Sequence, residues 1–215
     1  MGLIKRMLGL EAPVAKGAPQ ARAEGPLGLD IGRMPSLSPS LASLLDGHSY
    51  VVVPGDEKIC ARGSIELGQG SRLLRYYLDD EDYYLQVVMG GAGNEAIDEV
   101  QLFGYFSALN VTSKAELQRL TANIGLPTLE HEGESFERQW GSEMGLAELV
   151  PLHESVTSPE ASYTVKHHAM LYAREIGLVN RKEYLLFSVE EDEQGNVSLT
   201  TAVGVTLQLP DLQVL

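Results

Sequence analysis

The chain is predicted to be mainly β: antiparallel curved sheets or a partly open barrel with two short helices, preceded by a flexible N-terminal tether. Three observations predict this. Beyond residue 58 apolar residues recur at every second position over most of the chain, the period of a strand with one buried face. Short polar turns separate these runs, and no long helical stretches alternate with them, which argues against a doubly wound sheet. With 215 residues, 44% of them hydrophobic, the chain can build a core without disulfides or metal.

In chain order, Leu3, Ile4, Met7 and Leu8 fall on one side of a short helix and Lys5 and Arg6 on the other. Such a basic amphipathic segment suits an anionic membrane surface or a partner's groove, and a frayed terminus reads the same way. Ala, Pro, Gly and Gln then dominate to residue 26 and offer little apolar surface to order the backbone, so residues 1–26 read as a contact segment on a tether. The folded body is expected over 27–215, with two β-rich halves joined around 127–159, where Gly and Pro interrupt short apolar pieces.

Ser38-Pro39 and Gly47 bracket Leu41, Leu44 and Leu45 as a first helix. A capping box of Ser113 and Glu116 opens a second, which stops by Gly125. The strand runs begin with Ile59, Ala61, Ile65 and Leu67. Leu74, Tyr76 and Leu78 then form a hairpin with Tyr83, Leu85, Val87 and Met89 across an acidic turn. Val100, Leu102 and Phe106 precede the second helix. Near the C-terminus Tyr163, Val165, Ala169, Leu171 and Ala173 share a face, as do Leu185, Phe187 and Val189. The run from Val197 to Leu209 follows the turn Glu193-Gln194-Gly195-Asn196.

Charge narrows the function. The net charge is −14, and because residues 1–26 hold four cations against two carboxylates, the remainder carries −16. A body of that sign repels phosphate backbones and excludes nucleic acid as a partner class. One cysteine, Cys60, permits no internal disulfide and fits a reducing compartment. No apolar run approaches the roughly 20 residues of a membrane span, no secretory signal opens the chain, and Arg6 stands where a myristoylation signal needs Ser or Thr. A soluble, cytoplasmic protein is expected.

Motifs that carry chemistry are scarce. Gly91-Ala92-Gly93-Asn94-Glu95-Ala96 imitates a dinucleotide fingerprint, but a strand pattern follows where a helix is required, so it reads as a hairpin loop. His167 and His168 point to opposite faces of a strand and cannot share a metal; His167 reads as a satisfied core histidine. Cys60 falls on the polar face of its strand between Lys58 and Arg62, with no base assigned to it, and Trp140 reads as core. No catalytic, cofactor-binding or metal-binding residue is assigned. Two acidic clusters, Asp79-Asp80-Glu81-Asp82 and Glu190-Glu191-Asp192-Glu193, match no calcium loop and are candidate partner-docking surface. Leu3, Ile4, Lys5, Arg6, Met7 and Leu8 are the candidate tether contact.

Several segments together resemble the uncharacterised bacterial YjfK-like family, a domain of unknown function. They are Gly25-Pro26-Leu27-Gly28-Leu29 with Ile31-Gly32, Ala61-Arg62-Gly63, Leu67-Gly68-Gln69-Gly70, Arg75-Tyr76-Tyr77-Leu78-Asp79-Asp80, Ile97-Asp98-Glu99 and Trp140-Gly141. The resemblance implies no functional residue. It implies a context, since members are often encoded near phage-shock-type membrane-stress proteins, scaffolds on the inner face of the bacterial membrane. Physically, Arg62, Arg75, Asp79 and Asp80 are expected to form an ion-pair network on an exposed sheet face.

Two functions follow. The first is an accessory or adaptor protein acting through protein–protein contact, with the N-terminal segment adding a weak peripheral contact with membrane or partner. A phage-shock-type membrane scaffold is the partner that the family context suggests. The second is an enzyme or small-ligand binder whose site is assembled from scattered polar residues.

Overall fold

A computed structural model describes residues 25–79, 82–91, 93–142 and 144–215. The contact segment and most of the tether lie outside them. Gly25 and Pro26 are already part of the body: Pro26 is buried, and a Cβ on Gly25 would stand 2.5 Å from the Tyr76 hydroxyl.

The body is built on a closed antiparallel barrel of eight strands. β1 (Pro35–Leu37) and α1 (Leu41–Leu45) precede it. β2 (Ile59–Gly68), β3 (Ser71–Leu78), β4 (Tyr83–Met89) and β5 (Ile97–Val111) follow as a meander, then α2 (Lys114–Thr121). β6 (Thr128–His131) and β7 (Glu134–Arg138) form a hairpin. β8 (Val150–Thr157), β9 (Ser162–Glu175), β10 (Lys182–Glu191) and β11 (Val197–Leu207) make a second meander, and β12 (Leu212–Val214) returns to pair with β1. Around the barrel the order is β10-β11-β5-β4-β3-β2-β8-β9, and β9 closes on β10. β7 pairs with the C-terminal half of β9 and carries β6 at the free edge. Strands from both sides of residues 127–159 therefore enter one sheet, and that stretch itself supplies β6, β7 and β8.

β3, β4, β10 and β11 are buried on both faces, as are the N-terminal half of β5 and the C-terminal half of β9. Inside the barrel, Ile65, Leu73, Tyr77, Tyr84, Phe103, Leu152, Val165, Ala169, Leu186 and Ala202 pack together, drawn from every barrel strand. A second core covers the outer face of β3–β5 and β9–β11. Tyr76, Leu85, Val87, Leu102, Tyr172 and Val205 meet Leu29, Leu41 and Leu45 there, together with Phe136 of the β6–β7 hairpin. The outward residues of β8, Pro151, His153 and Ser155, are exposed instead. Two-sided burial lets Tyr83-Tyr84-Leu85-Gln86-Val87-Val88-Met89 run almost without a polar break.

Local signals explain the connections. Ser113 accepts from the Glu116 N–H at 3.2 Å, while the Glu116 carboxylate accepts from the N–H and hydroxyl of Thr112, one residue before the expected partner. The β6–β7 turn has left-handed Glu132 (φ 50°) and Gly133 (φ 85°), the backbone of a tight primed hairpin. The long segment before β2 is pinned by the Glu183 carboxylate. That group is fully buried and accepts from the Ser49 hydroxyl at 2.7 Å, from the Tyr50 N–H and from Arg174 Nε at 2.6 Å. Among the described residues no helix is long and apolar enough to cross a membrane.

Candidate functional site

The inward faces of the strands carry a buried polar network as well as apolar side chains. At its centre, Glu154 on β8 accepts from Arg75 Nη1 on β3 at 2.9 Å and from the Tyr77 hydroxyl at 2.7 Å. His167 Nε2 on β9 lies 3.0 Å away. An ionised carboxylate only accepts, so Nε2 carries the proton, and Nδ1 faces Ser188 Oγ at 3.0 Å. In the other direction Arg75 Nε donates to Gln86 at 3.0 Å, Gln86 to Gln101 at 2.7 Å, and Gln101 to Glu99 at 2.7 Å. Glu99 also accepts from Tyr184 at 2.6 Å and Thr206 at 2.9 Å. Beyond His167, Glu190 Oε1 stands 3.7 Å from Nδ1 and accepts from Thr200 at 2.8 Å.

Burial penalises the Glu154 carboxylate, but the Arg75 charge, then His167 and the Tyr77 hydroxyl, more than offset it and hold its pKa down at about 2. Burial pushes the hydroxyls of Tyr77, Tyr84 and Tyr105 well above the ordinary tyrosine value. The Arg75 guanidinium also lies over the Tyr84 ring, 5.2 Å from its centroid. Gly63 makes the arrangement possible: a Cβ there would stand 1.7 Å from Glu154 Oε1, so only glycine lets the carboxylate cross β2 to reach Arg75.

Ser188, His167 and Glu154 share the composition of a hydrolytic triad, yet the Ser188 side chain is sealed inside the barrel, where no substrate carbonyl reaches it. Every group of the network is engaged within it, which fits a role in fixing strand register. At the mouth of the barrel beyond Glu99 lies a cleft of about 430 Å³. Its charged groups are also paired: Arg181 with Asp211 at 2.8 Å, Lys182 with Glu175 at 3.4 Å, and Glu99 within the network.

This geometry corrects the expected ion-pair network on an exposed face. Arg75 points inward, and Arg62 instead faces Asp30 at 3.8 Å. Asp79 is exposed, and Asp80 lies outside the described residues. Cys60 is half-buried against the interior core, with its thiol directed at the Leu78 carbonyl at 3.4 Å, rather than set on a polar face. The network's own polar members were hidden for the same reason. Arg75, Gln86, Gln101 and Glu154 alternate in phase with Leu73, Tyr84, Phe103 and Leu152, and the available signal was a polar residue inside an apolar alternation.

The antiparallel order brings the two acidic clusters to one end of the barrel, because the β3–β4 and β10–β11 turns both open there, as does the β8–β9 turn with Glu160. The two clusters differ in state. Asp79 and Asp82 are exposed, and Glu81 with Asp80 falls outside the described residues. In the second cluster Asp192 is turned inward, accepting from the N–H groups of Gln194 and Asn196 at 2.9 and 2.8 Å. Glu191 pairs with Lys166 at 3.0 Å, Glu193 accepts from the Thr164 N–H at 2.9 Å, and Glu190 faces inward to Thr200. The tether-contact residues Leu3, Ile4, Lys5, Arg6, Met7 and Leu8 lie outside the described residues.

Fold and site together define a closed antiparallel barrel with a sealed polar interior and an acidic end. Residues 3–213 match the model of a family described as a protein of unknown function (DUF2491), and the chain belongs to that family. It is 27% identical over 223 residues to the uncharacterized protein YjfK of Escherichia coli (strain K12), covering 100% of this chain and 99% of that one. No solved structure matches. Of the motif residues that carry the family resemblance, Gly63, Arg75 and Tyr77 converge on Glu154, and Gly25 packs against Tyr76.

Proposed function

We propose that the protein is an adaptor that binds a protein partner through the acidic end of its barrel. The observation that carries this reading is the convergence of the acidic turns at one end of a barrel whose interior polar groups are already satisfied. A basic surface is the complementary partner, and the excess negative charge of the body would steer its approach. The family context points to a phage-shock-type membrane scaffold as that partner, which would place the protein in the bacterial membrane-stress response.

Localisation tests this in native cells. A fluorescent fusion of the full chain is expected to gather at discrete membrane positions under membrane stress. A variant carrying Asp79→Lys and Glu191→Lys, one reversal on each turn, is expected to stay diffuse. Identical distributions for the two proteins would refute docking through the acidic end.

A further inference from the structure

We propose that the basic amphipathic segment at residues 3–8 docks in cis on an apolar patch of the barrel's flank formed by Tyr50, Val52 and Phe106. The body also exposes Met144, Val179 and Leu209; this patch differs in bringing two aromatic rings to one hairpin tip. Phe106 is 54% exposed, Val52 69% and Tyr50 43%. Phe106 is the extra residue of a bulge in β5, where Tyr105 pairs with Ala202 and Ser107 with Thr201, so it has no partner across β11. Its ring meets His131 edge-on at 4.6 Å. Tyr50 donates to the Glu132 carbonyl at 2.7 Å, which joins both aromatics to the tip of the β6–β7 hairpin. Val52 stands two residues from Tyr50, beyond the buried Val51.

The rim and floor of this patch select the occupant. Glu130, Glu132 and Glu134 are exposed around the hairpin tip; Arg174, 5.8 Å from the Tyr50 ring centroid, pairs with Glu134 at 3.1 Å, which leaves Glu130 and Glu132 as the negative edge. His131 Nε2 is buried beneath it without a hydrogen-bond partner, and burial holds the imidazole below its usual range. Leu3, Ile4, Met7 and Leu8 beside Lys5 and Arg6 supply the matching pattern of apolar face and positive charge. A stretch of 16 residues, 9–24, separates them from Gly25; a chain of that length and composition spans roughly 20–24 Å root-mean-square. Gly25 packs on Tyr76, in the same outer core as Val51 and Phe136. A two-turn helix binds weakly when free, with an affinity on the order of millimolar, but a short tether supplies a millimolar effective concentration and makes such a contact populated. The same weakness disfavours the segment as a stand-alone membrane anchor.

The test uses the full chain in solution with Cys60→Ser and Met7→Cys, a nitroxide on the new thiol, and amide spectra of the isotope-labelled protein. Signals of Tyr50, Val52, Phe106 and His131 are expected to broaden several-fold more than those of Val179 and Leu209, an exposed apolar pair elsewhere on the body. Phe106→Glu, or Lys5→Glu with Arg6→Glu in the segment itself, should remove that selectivity; the second pair leaves the body untouched. Uniform broadening, preference for Val179 and Leu209, or selectivity surviving both variants would overturn the proposal. So would broadening when label and isotope sit on different molecules, which would make a second copy the occupant. No partner is needed here, so failure of this test leaves the adaptor reading standing, and failure of that reading leaves this one.

Discussion

Glu154→Ala is expected to lower the folding free energy by about 3–5 kcal/mol, because it strands the Arg75 guanidinium inside the barrel with no counter-charge. The loss should appear as a lower urea midpoint with an unchanged m-value. The pH dependence of the wild-type protein carries the same signature. The folded pKa of Glu154 is about 2 against an ordinary 4.5. A depressed carboxylate contributes stability above its unfolded pKa, and that contribution is lost as the pH falls from about 4.5 toward 2. The shift corresponds to about 3 kcal/mol. In Glu154→Ala this part of the acid limb should be absent, so its stability should change less with pH across that window. Parallel wild-type and variant curves between pH 4.5 and 2 would show that the pair does not govern acid stability.

Gly63→Ala is expected to cost about 3 kcal/mol, the upper end of the range for one added methyl in a packed interior. The new Cβ would occupy the position of Glu154 Oε1 and force the carboxylate away from Tyr77. Because the clash is with a single side chain, the two substitutions must be strongly non-additive. The double variant Gly63→Ala, Glu154→Ala should be no less stable than Glu154→Ala alone. Additive losses would mean that Gly63 serves the backbone rather than the network.

These expectations rest on residues whose alternation was readable but whose sidedness was not. The β3–β4 hairpin, the two helices and the final meander follow from period-two runs and turn residues, and the structure has them all. A sequence with one buried face shows which side is core. In β3, β4 and β5 both faces are buried, so Leu74, Tyr76 and Leu78 marked the outer core correctly while Arg75 between them was assigned to solvent. Nothing local distinguishes an exposed arginine from one that meets Glu154 from a strand 79 residues away. Closure was hidden for a related reason, since the two meanders seal into one barrel through the long-range β2–β8 and β5–β11 pairings, which no single strand records. The β6–β7 hairpin was missed because Glu132-Gly133 is an unusual pair for a primed turn, where Asn-Gly or Asp-Gly is the common signal. The acidic turns were legible as charge, and their common end became visible once the strand order was known.

The adaptor reading meets its most direct test in cross-linked affinity capture of the full chain from its native cells, run beside the Asp79→Lys, Glu191→Lys variant and scored by mass spectrometry. The account predicts one abundant partner with a basic surface, a membrane-stress scaffold by its family context, captured by the wild-type chain and lost from the variant. Equal recovery by both chains, or no reproducible partner for either, would contradict it.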